Sequence, residues 1–395
     1  IASALTESKE KGEPSPHFLI VCPTSLTYNW LDELENFTPF IKAIVVSGTP
    51  TERKEIIEQY EKYDILITSY PLIRRDIKSY EEINFNTVFI DEAQFIKNDS
   101  SLNAKSVKRV IAKHKFALTG TPIENSLSEL WSIFDFIMPG YLYSHHRFVE
   151  IYEKPILKDD KEALDELHQR ISPFILRRMK KDVLTELPDK YETKMLTDLS
   201  EEQKKIYLSY LASIKNDIQS ELSEGGLDKS RMKILAALTR LRQICCHPST
   251  FLENYQGGSG KLDLLMDIIP EAIANEHRIL VFSQFTSMLK IIEEELKDMN
   301  IAYFYLEGST PTLERNDIVK RFNNGEGEVF LISLKAGGTG LNLIGADTVI
   351  HYDPWWNPAV EEQATDRVYR IGQQNKVNVI KLITKGTIEE KIYKL

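Results

Sequence analysis

Short apolar runs, each ended by polar residues, constrain the fold of this chain more than any other sequence feature. Each run is continuous rather than alternating, which is typical of strands in a parallel sheet that is covered on both faces. Polar, helix-favouring segments separate most of the runs, so the pattern predicts an α/β fold with mostly parallel sheets. The runs span residues 17–23, 42–48, 63–70, 86–92 and 114–122 in a first series and residues 278–285, 301–309, 328–340, 347–354 and 376–384 in a second.

The segment between the two series, from about residue 141 to residue 250, has helical patterns instead. Ser200 and Gln203 have the spacing of a capping box at the start of one helix, and Pro248 ends a second helix. A glycine-rich stretch at residues 254–261 then indicates a linker or a lobe boundary. The predicted domains are a first lobe with a helical insertion at residues 1–198, a helical linker region at residues 199–255, and a second lobe at residues 256–395.

Charge and cysteine content narrow the classes of partner and compartment. A net charge of -10 argues against coating nucleic acid by bulk charge, so any such contact needs a local groove. The cysteines Cys22, Cys245 and Cys246 do not make a disulfide framework and fit a reducing compartment. The adjacent pair lacks a second Cys/His pair at zinc spacing, so we interpret it as packing. No apolar run approaches the roughly 20 residues that span a bilayer, so no membrane partner is expected.

Two adjacent carboxylates, Asp91 and Glu92, end the apolar run at residues 86–92. The carboxyl end of a buried strand is where an open α/β sheet places a ligand site. In a nucleotide triphosphatase Asp91 would hold Mg²⁺ and Glu92 would polarise the attacking water. The alternative is a pair of helix-start carboxylates that interact with the helix dipole.

Two turns after other predicted strands have the chemistry of phosphate-sensing turns. Short hydroxyls on one of them, and backbone N–H groups exposed by glycines on the other, could approach phosphates. The first turn alone is also typical of an ordinary connection between a strand and a helix, and a glycine-rich turn alone is weak evidence for a phosphate site. The residues concerned are Thr119, Gly120 and Thr121 in the first turn and Gly337, Gly338, Thr339, Gly340 and Asn342 in the second.

The segment at residues 361–373 places Gln363, Asp366, Arg367 and Arg370 within about three predicted helical turns. The two arginines are three residues apart and would share a helix face. Guanidinium groups beside a bound triphosphate are candidate arginine fingers. The alternative is a surface helix with Asp-Arg pairs.

One segment of the chain resembles a phosphate loop but does not have the required spacing. Residues 257–262 read GGSGKL, but a phosphate loop needs a glycine, four residues and then Gly-Lys-Ser/Thr. Tyr255 stands where the first glycine is required, and Leu262 replaces the hydroxyl that binds Mg²⁺. We therefore interpret this stretch as a flexible entry to a helix.

Taken in order, these motifs resemble the SWI/SNF-type ATPases, which are double-stranded DNA translocases of helicase superfamily two. The resemblance covers nearly the whole chain, and the ordered set of motifs is far more specific than any one of them. The segments that carry it include FIDEAQFIKN, ALTGTPIENSLSELW, LRRMKKDVLTELPDK, LRQICCHP, LKAGGTGLNL and YDPWWNPAVEEQATDRVYRIGQ. It implies an α/β fold of two RecA-like lobes with helical insertions between them, and a motor that uses ATP and Mg²⁺ to step along double-stranded DNA.

The resemblance also implies a role for each matching residue. Asp91, Glu92 and Gln94 would form the Mg²⁺ and water motif, with Asp91 as the metal ligand. Gln363, Arg367 and Arg370 would form an arginine motif, completed when the lobes close on ATP. Thr119, Gly120, Thr121, Gly340 and Asp366 would lie near the nucleotide or couple the lobes. DNA contacts would come from Thr24, Trp30, Thr68, Ser69, Ser283, Gln284, Lys335, Thr339, Asn342, Trp355 and Trp356. For the two tryptophans, packing on the helical insertions is an equal alternative.

In the family a Gly-Lys-Thr loop precedes the helix that would lead into Ile1, so the resemblance predicts a chain that starts just after this loop and does not hydrolyse ATP by itself. The other hypothesis is a non-hydrolysing nucleic-acid-binding or scaffold module. An RNA helicase is disfavoured by the middle segment and by YDPWWNP. The short insertions favour a bacterial or archaeal cytoplasmic protein over a nuclear one, and a remodelled protein partner is a further expectation.

Overall fold

A computed structural model describes residues 1–12, 16–120, 126–178, 180, 187–223, 227–337 and 340–394. The chain divides into two compact units, Ile1–Lys180 and Lys181–Leu395. This division lies earlier than the predicted boundary at residue 198, because a strand at residues 190–197 pairs within the sheet of the second unit. No helix among the described residues has both the length and the apolar character needed to cross a membrane.

The first unit alternates strands and helices, as the sequence predicted. Its strands are β1 (Phe18–Cys22), β2 (Ala43–Val45), β3 (Ile65–Ser69), β4 (Asn84–Ile90) and β5 (Ile111–Ala117). Its helices are α1 (Ala2–Glu10), α2 (Thr27–Phe37), α3 (Pro50–Glu58), α4 (Tyr70–Tyr80), α5 (Leu102–Lys108), α6 (Leu127–Ile137), α7 (His145–Phe148), α8 (Lys154–Ile156) and α9 (Lys161–Ile171).

Within the described residues, the first sheet has the strand order β2-β3-β1-β4-β5, and its pairings are all parallel. The central strand β1 is fully buried. Leu19 and Val21 pack in a core on one face, whereas Phe18, Ile20 and Cys22 pack in a core on the other. Helices cover both faces, which explains why this strand is a continuous apolar run.

Strand β5 differs from its prediction as a buried strand. It lies at the edge of the sheet, and Ile111 and Phe116 are about half exposed. Charged residues, including Lys113 and Lys115, interrupt its apolar pattern. The exposure of β5 in the structure therefore differs from the burial that the sequence predicted.

The second unit is a second α/β fold with additional helices. Its strands are β6 (Lys190–Thr197), β7 (Ile279–Ser283), β8 (Tyr303–Leu306), β9 (Val329–Ser333), β10 (Thr348–His351) and β11 (Val377–Thr384). Its helices are α10 (Glu201–Ser223), α11 (Leu227–Cys246), α12 (Gly260–Ala274), α13 (Thr286–Asp298), α14 (Thr312–Asn323), α15 (Leu334–Gly337), α16 (Pro358–Thr365) and α17 (Ile388–Lys394).

The second sheet has the order β6-β11-β10-β7-β9-β8 among the described residues, again with parallel pairings. Strands β7, β9, β10 and β11 bury their side chains in two apolar cores, one on each face. The sequence analysis missed β6, because this edge strand is largely exposed and has no apolar run. The fold class of parallel α/β sheets is confirmed for both units.

The helices of the middle segment begin and end as the sequence predicted. Gln203 N donates to Ser200 Oγ at 3.2 Å and Ser200 N donates to Gln203 Oε1 at 3.0 Å, so the capping box at the start of α10 is formed. Helix α11 ends at Cys246, two residues before Pro248. Cys245 and Cys246 are buried in separate apolar clusters, which fits their interpretation as packing residues.

The GGSGKL segment leads into helix α12, as the sequence predicted. Ser259 caps helix α12 by accepting from Leu262 N. Lys261 is fully buried and its Nζ lies 2.5 Å from both carboxylate oxygens of Glu389, on helix α17. Burial alone would lower the pKa of Lys261, but the charge and hydrogen bond of Glu389, together with the nearby Cys245 and Cys246, raise that pKa. The lysine that resembles a phosphate-loop lysine therefore holds the C-terminal helix in the core.

Replacing Lys261 with methionine is expected to destabilise the second unit by about 3–5 kcal/mol, because Glu389 would remain as a buried charge without its counter-ion. The double variant Lys261→Met/Glu389→Leu should recover most of this loss. Urea unfolding provides the measurement. Lys385→Met is the matched control, since Lys385 is half exposed in its pair with Asp198 and should cost less than about 1 kcal/mol. A Lys261→Met protein as stable as the wild type would contradict a buried ion pair.

Candidate active site

The turn that follows β4 carries Asp91 and Glu92, as the sequence predicted. Asp91 N still donates to Val21 O at 2.8 Å, so the sheet fixes the start of the turn. Glu92 then has a φ of 51°, a left-handed conformation that few non-glycine residues adopt. Such conformations cost about 1–3 kcal/mol and cluster at functional sites. Both carboxylates are half-buried beyond the carboxyl end of β4, where open parallel sheets bind ligands.

Both oxygens of the Asp91 carboxylate accept hydrogen bonds. Glu92 N donates to Oδ1 at 2.9 Å, and Trp30 Nε1 donates to Oδ2 at 3.0 Å. Tyr70 donates its hydroxyl to the backbone carbonyl of Asp91 at 2.7 Å. The sequence analysis predicted Trp30 as a DNA contact, but the structure places its N–H on Asp91. The carboxylate is thus oriented by its own turn and by helix α2.

Gln94 links Glu92 to the next strand of the sheet. Gln94 Nε2 donates to Glu92 Oε2 at 2.7 Å, and Thr119 Oγ1 donates to Gln94 Oε1 at 3.0 Å. Ala93 N also donates to Leu118 O at 2.9 Å. A single side chain, that of Gln94, therefore connects the hydroxyl of Thr119 to the carboxylate of Glu92. Thr121 lies outside the described residues.

A cavity of about 450 Å³ opens beside this turn. Asp91, Glu92, Thr119 and Gly120 form its polar wall, while the other wall is mainly apolar. The apolar wall comes from helix α6 and from residues 174–177. Carboxylate oxygens at the rim of a concave space are the donors that Mg²⁺ prefers when a nucleotide supplies the remaining ligands. The residues present therefore fit an Mg²⁺–nucleotide, with Asp91 as the protein ligand.

The predicted DNA contacts of the first unit differ in their exposure. Thr24 follows β1 and is exposed, so its hydroxyl is accessible. Thr68 and Ser69 end strand β3 and are fully buried, so the structure does not support phosphate contacts by their hydroxyls. The reason is that β3 is an internal strand whose last residues are covered on both sides. Burial at this point could not be read from a pattern of short polar side chains.

The arginine motif of the second unit is joined to the glycine-rich turn. Leu343 N donates to Arg367 O at 2.9 Å, and Gln373 Nε2 donates to Ala346 O at 2.7 Å. Arg370 Nη1 lies 3.5 Å from Leu341 O, which is the outer limit of a hydrogen bond. The structure thus brings the two sequence motifs together. Gly340, with a φ of 60°, is buried in the same turn.

The prediction that Arg367 and Arg370 lie on one helix face is wrong. Helix α16 carries Gln363 but ends at Thr365, and Asp366 follows it in a turn. The carbonyl of Arg367 bonds to Leu343 instead of continuing the helix. Of the other predicted residues in this region, Thr339, Gly338 and the side chain of Lys335 lie outside the described part of the chain. Asn342 accepts a hydrogen bond from Asn323 through its backbone carbonyl.

A buried arginine, Arg242 on helix α11, organises the ends of strands β7 and β10. Its Nη2 lies 3.2 Å from Asp353 Oδ2, and its Nη1 donates to Gln284 Oε1 at 2.7 Å. Ser283 Oγ donates to Asp353 Oδ1 at 2.5 Å. Burial raises the pKa of Asp353, although the charge of Arg242 acts in the opposite direction. Ser283 and Gln284, predicted as DNA contacts, are thus engaged in an internal network.

Trp355 and Trp356 pack on the same arginine. The Arg242 guanidinium lies 5.5 Å from the centre of the Trp355 ring and 5.7 Å from the centre of a Trp356 ring. Such cation–π contacts are worth about 0.5–2 kcal/mol. Both tryptophans therefore pack on helix α11 through Arg242. Trp356 remains partly exposed.

His351 supports the helix that leads to the arginine motif. The imidazole is fully buried on β10, and its Nε2 lies 2.9 Å from Thr365 Oγ1, the last residue of α16. Burial lowers the pKa of His351 from 6.5 to about 3, and the positive charge of Lys381 adds to this shift. Because the folded imidazole is a poor base, it stays neutral at every pH where the protein would work.

Stability of the second unit should therefore fall in mild acid. The unfolded chain has an ordinary histidine pKa near 6.5, so it binds more protons than the folded chain between about pH 6.5 and about pH 3. The free energy of unfolding is expected to fall by roughly 1.4 kcal/mol per pH unit in that window through this group. His351→Gln should remove this contribution in urea unfolding, whereas the exposed His168→Gln should keep it. An unchanged slope in His351→Gln would contradict the assignment.

Three contacts in these sites were not predicted from the sequence. Trp30 and Tyr70 reach Asp91 from helices α2 and α4, across 61 and 21 residues of chain. Arg242 reaches Asp353 across 111 residues. Each donor lies in a segment whose sequence is predominantly helical. No local sequence motif indicates which residue accepts its hydrogen bond. Only the three-dimensional arrangement of the strands brings these donors and acceptors together.

Comparison with protein families adds an independent finding. The model of the SNF2-related domain matches residues 1–250, and that of the helicase conserved C-terminal domain matches residues 260–372. The chain is 42% identical over 395 residues to the putative ATP-dependent helicase/translocase YwqA of Bacillus subtilis, covering 97% of this chain and 42% of that protein. It is 36% identical to the TATA-binding protein-associated factor MOT1 of Saccharomyces cerevisiae, covering 95% of this chain and 23% of that protein.

A solved structure is also similar in sequence. The Sulfolobus solfataricus SWI2/SNF2 ATPase core in complex with dsDNA is 39% identical, with 100% of this chain and 82% of that chain covered and a TM-score of 0.47. The chain spans about two fifths of the length of the bacterial relative and less than a quarter of the length of the yeast relative.

Proposed function

The chain belongs to the SNF2-related family of ATP-dependent helicases, and on that premise we propose that it forms the core of an ATP-driven, sequence-independent motor on double-stranded DNA. The observation that carries the proposal is the line of hydrogen bonds from Glu92 through Gln94 to Thr119, beside a cavity of about 450 Å³. This line orients a carboxylate at the edge of the sheet and connects it to the neighbouring strand. A site of this kind suits hydrolysis of a nucleotide triphosphate.

In the proposed reaction the two carboxylates have separate roles. Glu92 accepts from Gln94 through Oε2, so its other oxygen is directed by that bond and can orient the attacking water. Asp91, held by Trp30 and by Glu92 N, would hold Mg²⁺. When bound, the ion supplies positive charge to the β- and γ-phosphates. Thr119 transmits the state of Glu92 to the turn that follows β5.

We assign charge stabilisation of the transferred phosphoryl group to Arg367 and Arg370, with Gln363 and Asp366 as neighbouring polar groups. The support is chemical, because planar guanidinium groups match phosphate oxygens in pairs. Within the part of the chain that the structure describes, the Arg370 guanidinium makes a long contact to Leu341 O, and such a contact is readily exchanged for a phosphate oxygen.

Duplex DNA is the proposed track, and its phosphates are the proposed point of contact. The Sulfolobus solfataricus SWI2/SNF2 ATPase core, which is 39% identical to this chain in sequence, was solved in complex with dsDNA. Thr24 and Trp356 are the exposed members of the predicted set in the described chain. Contacts by short hydroxyls and backbone N–H groups carry no base sequence, so binding should be independent of sequence. A bacterial or archaeal cytoplasm remains the proposed location, and a remodelled protein partner remains a proposal.

We expect residues 1–395 alone not to hydrolyse ATP. The nearest resemblance to a phosphate loop, GGSGKL, has the wrong spacing, and its Lys261 is buried against Glu389. A protein in which a Gly-Lys-Thr loop precedes Ile1, which we call the loop-containing protein, should be active. In such a loop the backbone N–H groups and the lysine cradle the phosphates.

The test is an ATPase assay of both proteins with and without duplex DNA. The loop-containing protein should hydrolyse ATP, and duplex DNA of any sequence should stimulate it. DNA binding should weaken steeply between about 50 and about 200 mM salt, because phosphate contacts release counterions. Robust DNA-stimulated hydrolysis by residues 1–395 would show that another phosphate site exists. Absence of hydrolysis in the loop-containing protein would support the non-hydrolysing binding or scaffold module instead.

A further inference from the structure

Asp91, the metal-binding residue of the proposed site, accepts hydrogen bonds from two helices outside its own turn. Trp30 Nε1 donates to Asp91 Oδ2 at 3.0 Å from helix α2, and the Tyr70 hydroxyl donates to Asp91 O at 2.7 Å from the start of helix α4. The first bond sets the rotation of the carboxylate, and the second sets the backbone that carries it. Two helices of the first unit therefore converge on one residue.

Both donors are fixed by their packing. The Trp30 ring packs against the apolar core that contains Phe18, Leu26 and Phe89. The Tyr70 ring is fully buried and stacks on Phe95 with the ring centres 5.1 Å apart. The Tyr70 hydroxyl faces a backbone carbonyl oxygen, which can only accept, so the phenol is the donor. An indole N–H can only donate. The direction of both hydrogen bonds is therefore fixed.

Helix α2 connects this contact to the surface of the protein. Thr24 is exposed at the carboxyl end of β1, and a single 3₁₀ turn joins it to the first residue of α2. Thr27 Oγ1 donates to Thr24 O at 3.0 Å, which ties the turn to the helix. Trp30 lies on the first turn of that helix. One short turn and the first turn of the helix therefore separate the exposed Thr24 from the donor of the Asp91 bond.

We propose that Trp30 is a positioning residue that holds Asp91 in the orientation required for the Mg²⁺–nucleotide and that links this orientation to helix α2. The inference rests on the proposed function, because it assigns Asp91 to the metal. It replaces the role predicted for Trp30 in direct DNA contact. A ligand that shifts helix α2 would then change metal binding at Asp91 without touching the nucleotide.

Trp30→Phe is the central variant, because it removes the N–H group and keeps an aromatic ring in the core. Tyr28→Phe is its matched control on the same helix. Tyr28 is also half-buried, and it also loses one hydrogen bond, that of its hydroxyl with Ser47 Oγ at 3.3 Å. Tyr70→Phe provides a second test of the hold on Asp91, from helix α4.

The first arm examines the contact itself in residues 1–395 by the indole N–H resonances in ¹H–¹⁵N spectra. The Trp30 signal is identified as the one that is absent in Trp30→Phe. If that variant does not fold, phenylalanine variants of the other three tryptophans assign the Trp30 signal by elimination. Asp91→Asn should shift the Trp30 signal, whereas Glu33→Gln, a charge loss on the exposed side of the same helix, should not. An unshifted signal in Asp91→Asn would overturn the inference.

The second arm measures ATP hydrolysis by the loop-containing protein as a function of Mg²⁺ concentration. Trp30→Phe should raise the Mg²⁺ concentration for half-maximal rate about 10-fold, the order expected for one hydrogen bond to a charged group, with a smaller change in kcat. Tyr28→Phe should leave this concentration unchanged. Equal Mg²⁺ dependence of Trp30→Phe and wild type would overturn the positioning role and leave the proposed function intact. A wild-type protein without ATPase activity would overturn both, even if the indole signal responded to Asp91→Asn.

Discussion

Replacing Arg370 with alanine is expected to lower the ATP turnover of the loop-containing protein by about 10³–10⁵-fold, the range found for loss of an arginine finger in phosphoryl transfer. ATP affinity should change much less, because the guanidinium acts on charge that develops in the transition state. The backbone around Arg370 is held by Leu343 and Gln373, which do not depend on its side chain. The fold should therefore survive the substitution.

Single-turnover kinetics and equilibrium ATP binding separate these two effects. Arg321→Ala is the matched control, since Arg321 is a half-exposed arginine of the same unit that pairs with Glu326. That variant should retain turnover within a few fold, as surface ion pairs contribute little. Arg367→Ala tests the second guanidinium in the same way. If Arg370→Ala lost ATP affinity but kept its rate per bound ATP, the finger role would be wrong.

Replacing Glu92 with glutamine is expected to reduce turnover by about 10²–10⁴-fold, the usual cost of removing a positioned general base. The amide has nearly the same shape and keeps an oxygen that can accept from Gln94 Nε2, so the strained turn at φ 51° should persist. ATP binding should therefore remain close to that of the wild type. The loss is chemical, because an amide cannot take up a proton from water.

ATPase rates and nucleotide binding of Glu92→Gln in the loop-containing protein provide the measurement. Glu55→Gln, an exposed carboxylate on helix α3, is the control for loss of one negative charge in the same unit. Near-normal turnover by Glu92→Gln would contradict the assignment of Glu92 as the group that orients water. Lost ATP binding in this variant would indicate a structural role for the carboxylate instead.

The parallel α/β fold was predictable because buried strands and helices leave different periodic patterns. Strand β1 is the clearest case, since a strand covered on both faces must be apolar at every position. Edge strands break this rule. Strand β6 was missed and β5 was misread, because partial exposure allows charged residues such as Lys113 and Lys194 within a strand. Pattern alone cannot distinguish such a strand from a loop.

The candidate site was predictable where its residues are adjacent in sequence. Asp91, Glu92 and Gln94 lie on one turn, so a short motif contains them. Contacts between residues far apart in the sequence were not predictable, because the order of the strands in the sheet decides which residues meet. Trp30 was assigned to DNA from the resemblance, although its N–H bonds to Asp91. Thr68 and Ser69 were assigned to DNA by the same reasoning, although both are buried.

The Arg242 network has a mechanical consequence. Helix α11 is anchored through a buried ion pair to Asp353 and through a hydrogen bond to Gln284, at the ends of two adjacent strands. Sliding the helix along its axis would separate charges in a low-dielectric interior, which costs several kcal/mol. The ion pair therefore fixes the position of helix α11 along its own axis relative to the ends of strands β7 and β10.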